Sequence, residues 1–257
     1  MERRILRAVT LPEATPTTSL TVFNDVRWLP EVDSTNRYVM DEARAGTPAG
    51  LVVVADHQTA GRGRLGRTWV APPGASLLVS VLLRPTIAAD RRHVLVMAAG
   101  LAMAEAIQET TGVVAGLKWP NDLLVGDRKL GGILAETTGD ALVVGIGVNI
   151  EWPEVPDELT TIATACNLEG GRPTTRSSVL AEFLARYSRH LANLDGARVA
   201  YDARLLTVGR RVRVEQANGV ITGVATGVDE FGRLLLDRDD GMAEPIAVGD
   251  VVHLRTE

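Results

Sequence analysis

The sequence predicts an α+β fold: a mixed β-sheet with flanking helices, followed by a small C-terminal β-barrel of SH3-like size. Three observations lead there. Strand-length apolar runs recur at residues 26–32, 52–55, 76–83 and 141–150, bounded by glycine, proline and polar residues. Segments with helical period stand between and after them, the longest at residues 90–110. From Thr207 the texture changes to five short β-rich runs, at 211–214, 220–225, 233–236, 246–248 and 251–254, alternating with turns such as Asn218-Gly219, Phe231-Gly232 and Asp240-Gly241. This puts a domain boundary near Leu206, with residues 1–24 an extension, 25–206 the main domain and 207–257 the barrel.

In order along the chain, residues 1–19 mix arginines with a proline-punctuated polar run, which predicts at most a short helix and loop, too short for a helix-turn-helix domain. After the strand at 26–32, Asp33-Ser34-Thr35-Asn36 offers N-cap side chains to a helix ending near Gly46. The same hydroxyl and amide groups are equally suited to a polar ligand head, and the spacing does not choose between the two. The strand at 52–55 feeds a glycine-rich loop, and the strand at 76–83 is closed by Arg84-Pro85. The helix at 90–110 carries Ala98, Ala99, Ala102 and Ala106 beside Leu95 and Leu101, a small-residue face for close packing. Leu123-Leu124-Val125 and residues 130–135 flank Gly126-Asp127-Arg128 as a β-hairpin. In the strand at 141–150, Gly145 and Gly147 bare one face next to Asn149, as ligand approach would require. Residues 153–172 read as a polar surface loop, and 177–194 and 197–206 as amphipathic helices.

Composition excludes several classes. With 46% hydrophobic residues the chain can bury a sizeable core, and a net charge of -5 argues against general nucleic-acid binding unless positive charge is concentrated locally. The lone Cys166 excludes an internal disulfide, and the four histidines lack metal-ligand spacing, so no protein metal ligands are predicted. No signal peptide is evident, and no apolar run reaches the roughly twenty residues of a membrane span. The cytoplasm is the expected compartment.

Positive charge does concentrate once. Gly61, Arg62, Gly63, Arg64, Gly66 and Arg67 fall within seven residues, glycines that let backbone approach a ligand beside guanidinium forks that suit phosphate and carboxylate. The glycines match the G-x-G-x-x-G spacing, but Thr68-Trp69-Val70-Ala71-Pro72-Pro73-Gly74 follows and cannot continue the helix that a dinucleotide site needs. The loop therefore reads as a basic clamp. Its charges have no evident partners in the sequence, so it should be mobile alone and ordered over an anion. A second polar cluster, Lys118-Trp119-Pro120-Asn121-Asp122, precedes the hairpin, whose second strand begins at Lys129 and leaves room at Gly131 and Gly132.

Together, residues 33–36, 58–67 (QTAGRGRLGR), 118–122 (KWPND) and 129–136 (KLGGILAE) resemble the biotin protein ligases, in the family's order. The likeness runs from about Val26 to Leu254 and lacks room for the N-terminal winged helix-turn-helix of family members that also repress transcription. The resemblance implies a ligase-only form that does not bind DNA. It implies that biotin attacks the α-phosphate of ATP to give biotinyl-5′-AMP, which then acylates a lysine of a biotin carboxyl carrier protein, with Mg²⁺ accompanying ATP. It places Ser34, Thr35, Asn36, Gln58, Gly61, Arg62, Gly63, Arg64, Lys129 and Gly132 on biotin, and Arg64, Arg67, Lys118, Asn121 and Asn149 on the nucleotide. Lys129, Asp122 and Arg64 become the catalytic groups, Lys129 bridging two anions and Asp122 acting as base for the incoming amine or near the metal. No membrane partner is implied, and a homodimer is compatible with the sequence. A lipoate or octanoate ligase and a non-catalytic biotin-binding module are the alternatives.

Overall fold

A computed structural model of the chain describes residues 22–153, 155, 159–216, 219–242, 245–247 and 249–253. The expectations for residues 1–19, Asn218, Val248 and Leu254 lie outside them. The larger sheet has the order β1-β2-β3-β7-β6-β5-β4, from β1 (Asp25–Val32), β2 (Leu51–Gln58), β3 (Ser76–Leu83), β4 (Gly116–Lys118), β5 (Asp122–Val125), β6 (Arg128–Thr138) and β7 (Ala141–Asn149). It is mixed, as predicted. β1 and β2 run parallel across the helix α1 (Thr35–Arg44), the crossover that a parallel pair requires, and the other neighbours are antiparallel.

Strand alternation assigns the two faces of this sheet. On β7, Val144, Ile146 and Val148 join the main core beneath α2 (Arg92–Thr111), while Ala141 and Val143 pack with Val39, Met40 and Ala43 of α1. α2 is buried nearly all round because the sheet covers one side and α3 (Arg176–Leu191) and α4 (Leu194–Ala203) the other. Its small residues permit close approach; a Cβ on Gly100 would lie 3.0 Å from Ile133 Cδ1. α1 covers only part of the opposite face. The rest is the floor of a cleft.

Two predicted boundaries move for a local reason. Thr175 Oγ1 accepts from Ser178 N–H at 3.1 Å and Asn193 Oδ1 from Gly196 N–H at 3.0 Å, so α3 and α4 start at Arg176 and Leu194, ahead of the expected positions. Residues 153–172 are also more than a surface loop. Trp152 and Ala165 pack on Ala75, Thr164 and Cys166 are buried, and the Lys129 backbone is gripped on both sides, N–H to Ile162 O at 2.8 Å and O from Thr164 N–H at 2.9 Å.

The C-terminal strands β8 (Arg211–Gln216), β9 (Gly219–Val228), β10 (Leu234–Arg238) and β11 (Asp250–His253) form an antiparallel sheet, β10-β9-β8-β11. Of the fourth expected run, residues 246–248, Ile246 forms a bridge to Leu234. Val212, Val214 and Leu234 share the main core with α2, and Trp119 Nε1–H donates to Gly232 O at 3.0 Å. The KWPND segment is thereby tied to the second sheet.

Candidate active site

The cleft floor is a row of directly paired residues, Lys118 opposite Asp122, Asp122 opposite Gly132, and Gly132 opposite Gly147. Residues directly opposite one another face the same side of a sheet. Lys129 should then point away, since it is an odd number of residues from Gly132. A β-bulge prevents this. Leu124 pairs with Lys129 and Leu123 with Gly131, leaving Leu130 unopposed and turned into the core, so that strand phase is reset and Lys129 and Gly132 share the cleft face. Lys129 Cε and Nζ lie 3.1 Å from where a Gly132 Cβ would stand.

At the entry to α1, the Ser34 side chain makes no cap hydrogen bond, and Asp33 Oδ1 accepts from Ser34 N–H at 2.6 Å. Thr35 N–H and Oγ1–H both donate to Gln58 Oε1, at 2.8 and 3.0 Å, and Ser80 Oγ–H donates to Asn36 Oδ1 at 2.6 Å. Asn36 Nδ2 donates to Leu134 O at 3.0 Å and to Glu136 Oε2 at 2.9 Å. Asn36 occupies the space that Gly145 leaves, where a Cβ would meet its Oδ1 at 2.0 Å. The bare face of β7 is thus partly taken by protein.

The basic loop opens no helix; it makes a single 3₁₀ turn at Arg64–Gly66, with Leu65 at φ 56° and exposed. The expectation that its charges lack partners is corrected. Arg62 forks onto Glu136 at 2.9 and 2.7 Å, Arg64 donates to Asn121 Oδ1 at 3.0 Å and to Gly249 O at 3.3 Å, and Arg67 pairs with Asp250. All these partners lie far away in sequence, where no local pattern reveals them. Burial pulls the Arg64 guanidinium below its usual range, opposed by the Asp250 and Asp122 carboxylates.

Sequence reasoning missed Trp69 and Glu136 as site residues. The Trp69 indole lies on Gly147, whose Cβ would stand 2.6 Å from Trp69 Cε2, and Lys129 Nζ is 5.8 Å from its ring centroid. Its Nε1–H is buried without a hydrogen-bond partner among the described residues. The available signal was the pair of bare strand positions, Gly132 and Gly147, facing a loop that carries a tryptophan.

Lys129 Nζ is 2.6 Å from Asp122 Oδ1, an ion pair across adjacent strands. Asn121 and Asn149 both have their amides engaged by protein. Asn121 Nδ2 donates to Ile133 O at 2.9 Å, and Asn149 accepts from Ser76 Oγ–H at 3.1 Å and donates to Thr164 O at 2.9 Å. Except for Gly61, every expected site residue lines one cleft of about 1190 Å³. Gly61 serves from behind, where a Cβ would come within 2.3 Å of Trp69 O.

Residues 28–151 match the model of the biotin/lipoate A/B protein ligase family, and residues 207–254 that of the biotin protein ligase C terminal domain. The chain is 37% identical over 235 residues to the biotin–[acetyl-CoA-carboxylase] ligase of Mycobacterium tuberculosis, covering 88% of this chain and 87% of that protein. It is 32% identical over 233 residues to the bifunctional ligase/repressor BirA of Bacillus subtilis, covering 86% and 70%. Among solved structures it resembles a biotin protein ligase from Aquifex aeolicus in complex with biotin and ATP, with a TM-score of 0.81, 33% identity, and coverage of 91% of this chain and 100% of that one. With both regions matched in order around a cleft of this construction, the chain belongs to the biotin protein ligase family.

Proposed function

We propose that this cleft activates biotin with ATP and passes it to a lysine of a biotin carboxyl carrier protein, with the residue roles set out below. The activity is ATP-dependent biotin ligation. Its first step joins two anions, since a biotin carboxylate oxygen must bond to the α-phosphorus while the bridge to the β-phosphate breaks. Lys129 supplies the compensating charge. Its ammonium projects from the bulge over a glycine floor, and this is the observation that carries the residue assignment. Arg64, half-buried and held by Asn121, adds a second fixed charge for the phosphate. Thr35, Asn36 and Gln58 form the polar end of the cleft for the biotin head, and Trp69 offers an apolar wall with a free N–H.

In the second step an acceptor ε-amine, ordinarily protonated at neutral pH, must lose a proton before it attacks. Asp122, which lines the cleft beside Lys129, is the carboxylate assigned to this step. The same carboxylate has the hard oxygens that suit a Mg²⁺ accompanying ATP, although among the described residues no three metal-binding side chains converge. Such an ion would be held by Asp122 with phosphate oxygens and water, and would neutralise phosphate charge. The C-terminal match and the paired Lys129 and Asp122 favour this reading over a lipoate ligase or a binding module. Pyrophosphate exchange into ATP, run with biotin, with lipoate and with neither, tests it. Exchange that depends on lipoate and ignores biotin would overturn it.

A further inference from the structure

Beyond Lys129 and the arginine loop, the cleft has a second cationic end. It is walled by Lys118 and Asp127 from the β4–β5–β6 side, by Arg210 just before β8, and by His253 of β11. Lys118 faces the same side as Asp122, its direct partner in the sheet register. Among the described residues no carboxylate lies within ion-pair distance of it.

The imidazole of His253 organises this end. Arg210 Nη1 is 3.2 Å from His253 Nδ1, and a guanidinium can only donate, so Nδ1 is the acceptor and the ring proton lies on Nε2. Nε2–H then donates to Thr207 Oγ1 at 3.2 Å, an atom that also accepts from Trp119 N–H at 3.4 Å. Thr207 is fully buried. The chain from Arg210 through His253 and Thr207 therefore ends on the backbone of the KWPND segment. It requires a neutral ring, and burial together with the Lys118 and Arg210 charges keeps the imidazole at about 4, against the pull of Asp127.

Apart from Arg64, which Asn121 and Gly249 O hold, the other cations of the cleft each have a carboxylate partner. Arg62 is paired with Glu136, Arg67 with Asp250, Arg211 with Asp239 and Lys129 with Asp122. Among the described residues Arg210 has one carboxylate partner, Asp127 at 3.2 Å, whose side chain is 73% exposed, and such a pair is weak and readily exchanged. Given the ligase reading above, we infer that Arg210, positioned by His253, acts with Lys118 to bind the β- and γ-phosphates of ATP and the pyrophosphate that leaves. As the carboxylate–phosphorus bond forms, the bridging oxygen departs with its electron pair on pyrophosphate, and this end of the cleft receives the charge.

The reverse first step isolates the claim, with preformed biotinyl-5′-AMP and inorganic pyrophosphate as reactants and ATP as the readout. Arg210→Ala should raise the KM for pyrophosphate roughly tenfold or more, as expected for loss of a charge-assisted hydrogen bond. Biotin transfer from preformed adenylate to a carrier domain, which involves no pyrophosphate, should stay within about twofold of wild type. His253→Leu should raise the same KM, and His253→Asn, which keeps an acceptor for Arg210, should restore much of it. Asp127→Asn changes an exposed side chain and leaves folding intact; by freeing Arg210 it should lower the KM. An unchanged pyrophosphate KM in Arg210→Ala and Asp127→Asn, or a parallel loss of transfer, overturns the assignment. A wild-type protein that makes no ATP from these reactants refutes the ligase reading itself, and Arg210 with it.

Discussion

Lys129 Nζ lies 2.6 Å from Asp122 Oδ1 across adjacent strands, so the cation assigned to adenylation and the carboxylate assigned to acyl transfer form one ion pair. Each holds the other while the cleft is empty of reactants. Lys129→Ala should lower the rate of biotinyl-AMP formation by roughly 10²- to 10³-fold, as for loss of one preorganised charge-stabilising donor. The fold should survive, since the side chain faces the cleft. Biotin-dependent pyrophosphate exchange near the wild-type rate in this variant would remove Lys129 from the mechanism.

Asp122→Asn separates the two half-reactions. It keeps side-chain shape while removing basicity. If Asp122 serves the incoming amine, adenylate forms normally and transfer slows, and raising the pH recovers part of the loss because more ε-amine is already neutral. Single-turnover rates for each step across pH decide the matter. A defect confined to adenylation would assign Asp122 to the metal.

The arginine loop is tethered through Arg67 to Asp250 and through Arg64 to Gly249 O. Exposed ion pairs contribute about 0.2–1 kcal/mol, so Asp250→Asn should raise the rate of tryptic cleavage after Arg64 or Arg67 by about two- to fivefold in free protein. Biotin with ATP should protect both proteins. Equal cleavage of wild type and variant would show that the tether does not hold the loop.

His93 gives a pH prediction. Its Nε2 is buried without a hydrogen-bond partner among the described residues, and burial, aided by the Arg64 charge, holds the imidazole at about 4 instead of 6.5. A histidine with a depressed folded pKa binds its proton more readily when unfolded. Above about pH 6.5 the ring is neutral in both states and the shift has no effect on stability, which is lost as the pH falls from there towards 4, by ~1–3 kcal/mol. His93→Leu should match or slightly exceed wild type in urea at pH 7 and lose less between pH 6.5 and 4.5. Parallel curves for the two proteins would count against the assignment.

Much of this architecture was legible because it is local. Residues 76–83 match β3 end to end, and the hairpin around Gly126 and most of α2 follow from apolar period and turn residues. The four stretches that carry the resemblance already named many of the residues that line the cleft. The missing features all depend on register or distant contact. No periodicity announces that Leu130 is unopposed, because that depends on where β5 aligns. Nor does it show that Gly145 and Gly147 make room for Asn36 and Trp69, side chains from elsewhere in the chain. Thr164 and Ile162 stand in a polar run, and nothing local in it shows that their backbone groups hold Lys129.

The bulge at Leu130 lets one short stretch of β6 serve two faces at once. Lys129 is three residues before Gly132, so a strand of the same length without the bulge would carry Lys129 to the side occupied by α2, where an unpaired ammonium would be either expelled or neutralised. Deleting Leu130 would instead leave Lys129 two residues before Gly132 in simple alternation, so the lysine would keep its cleft face while the core lost a fully buried leucine. The extra residue thus belongs to the interior, and the position of the ammonium follows from how the strand makes room for it.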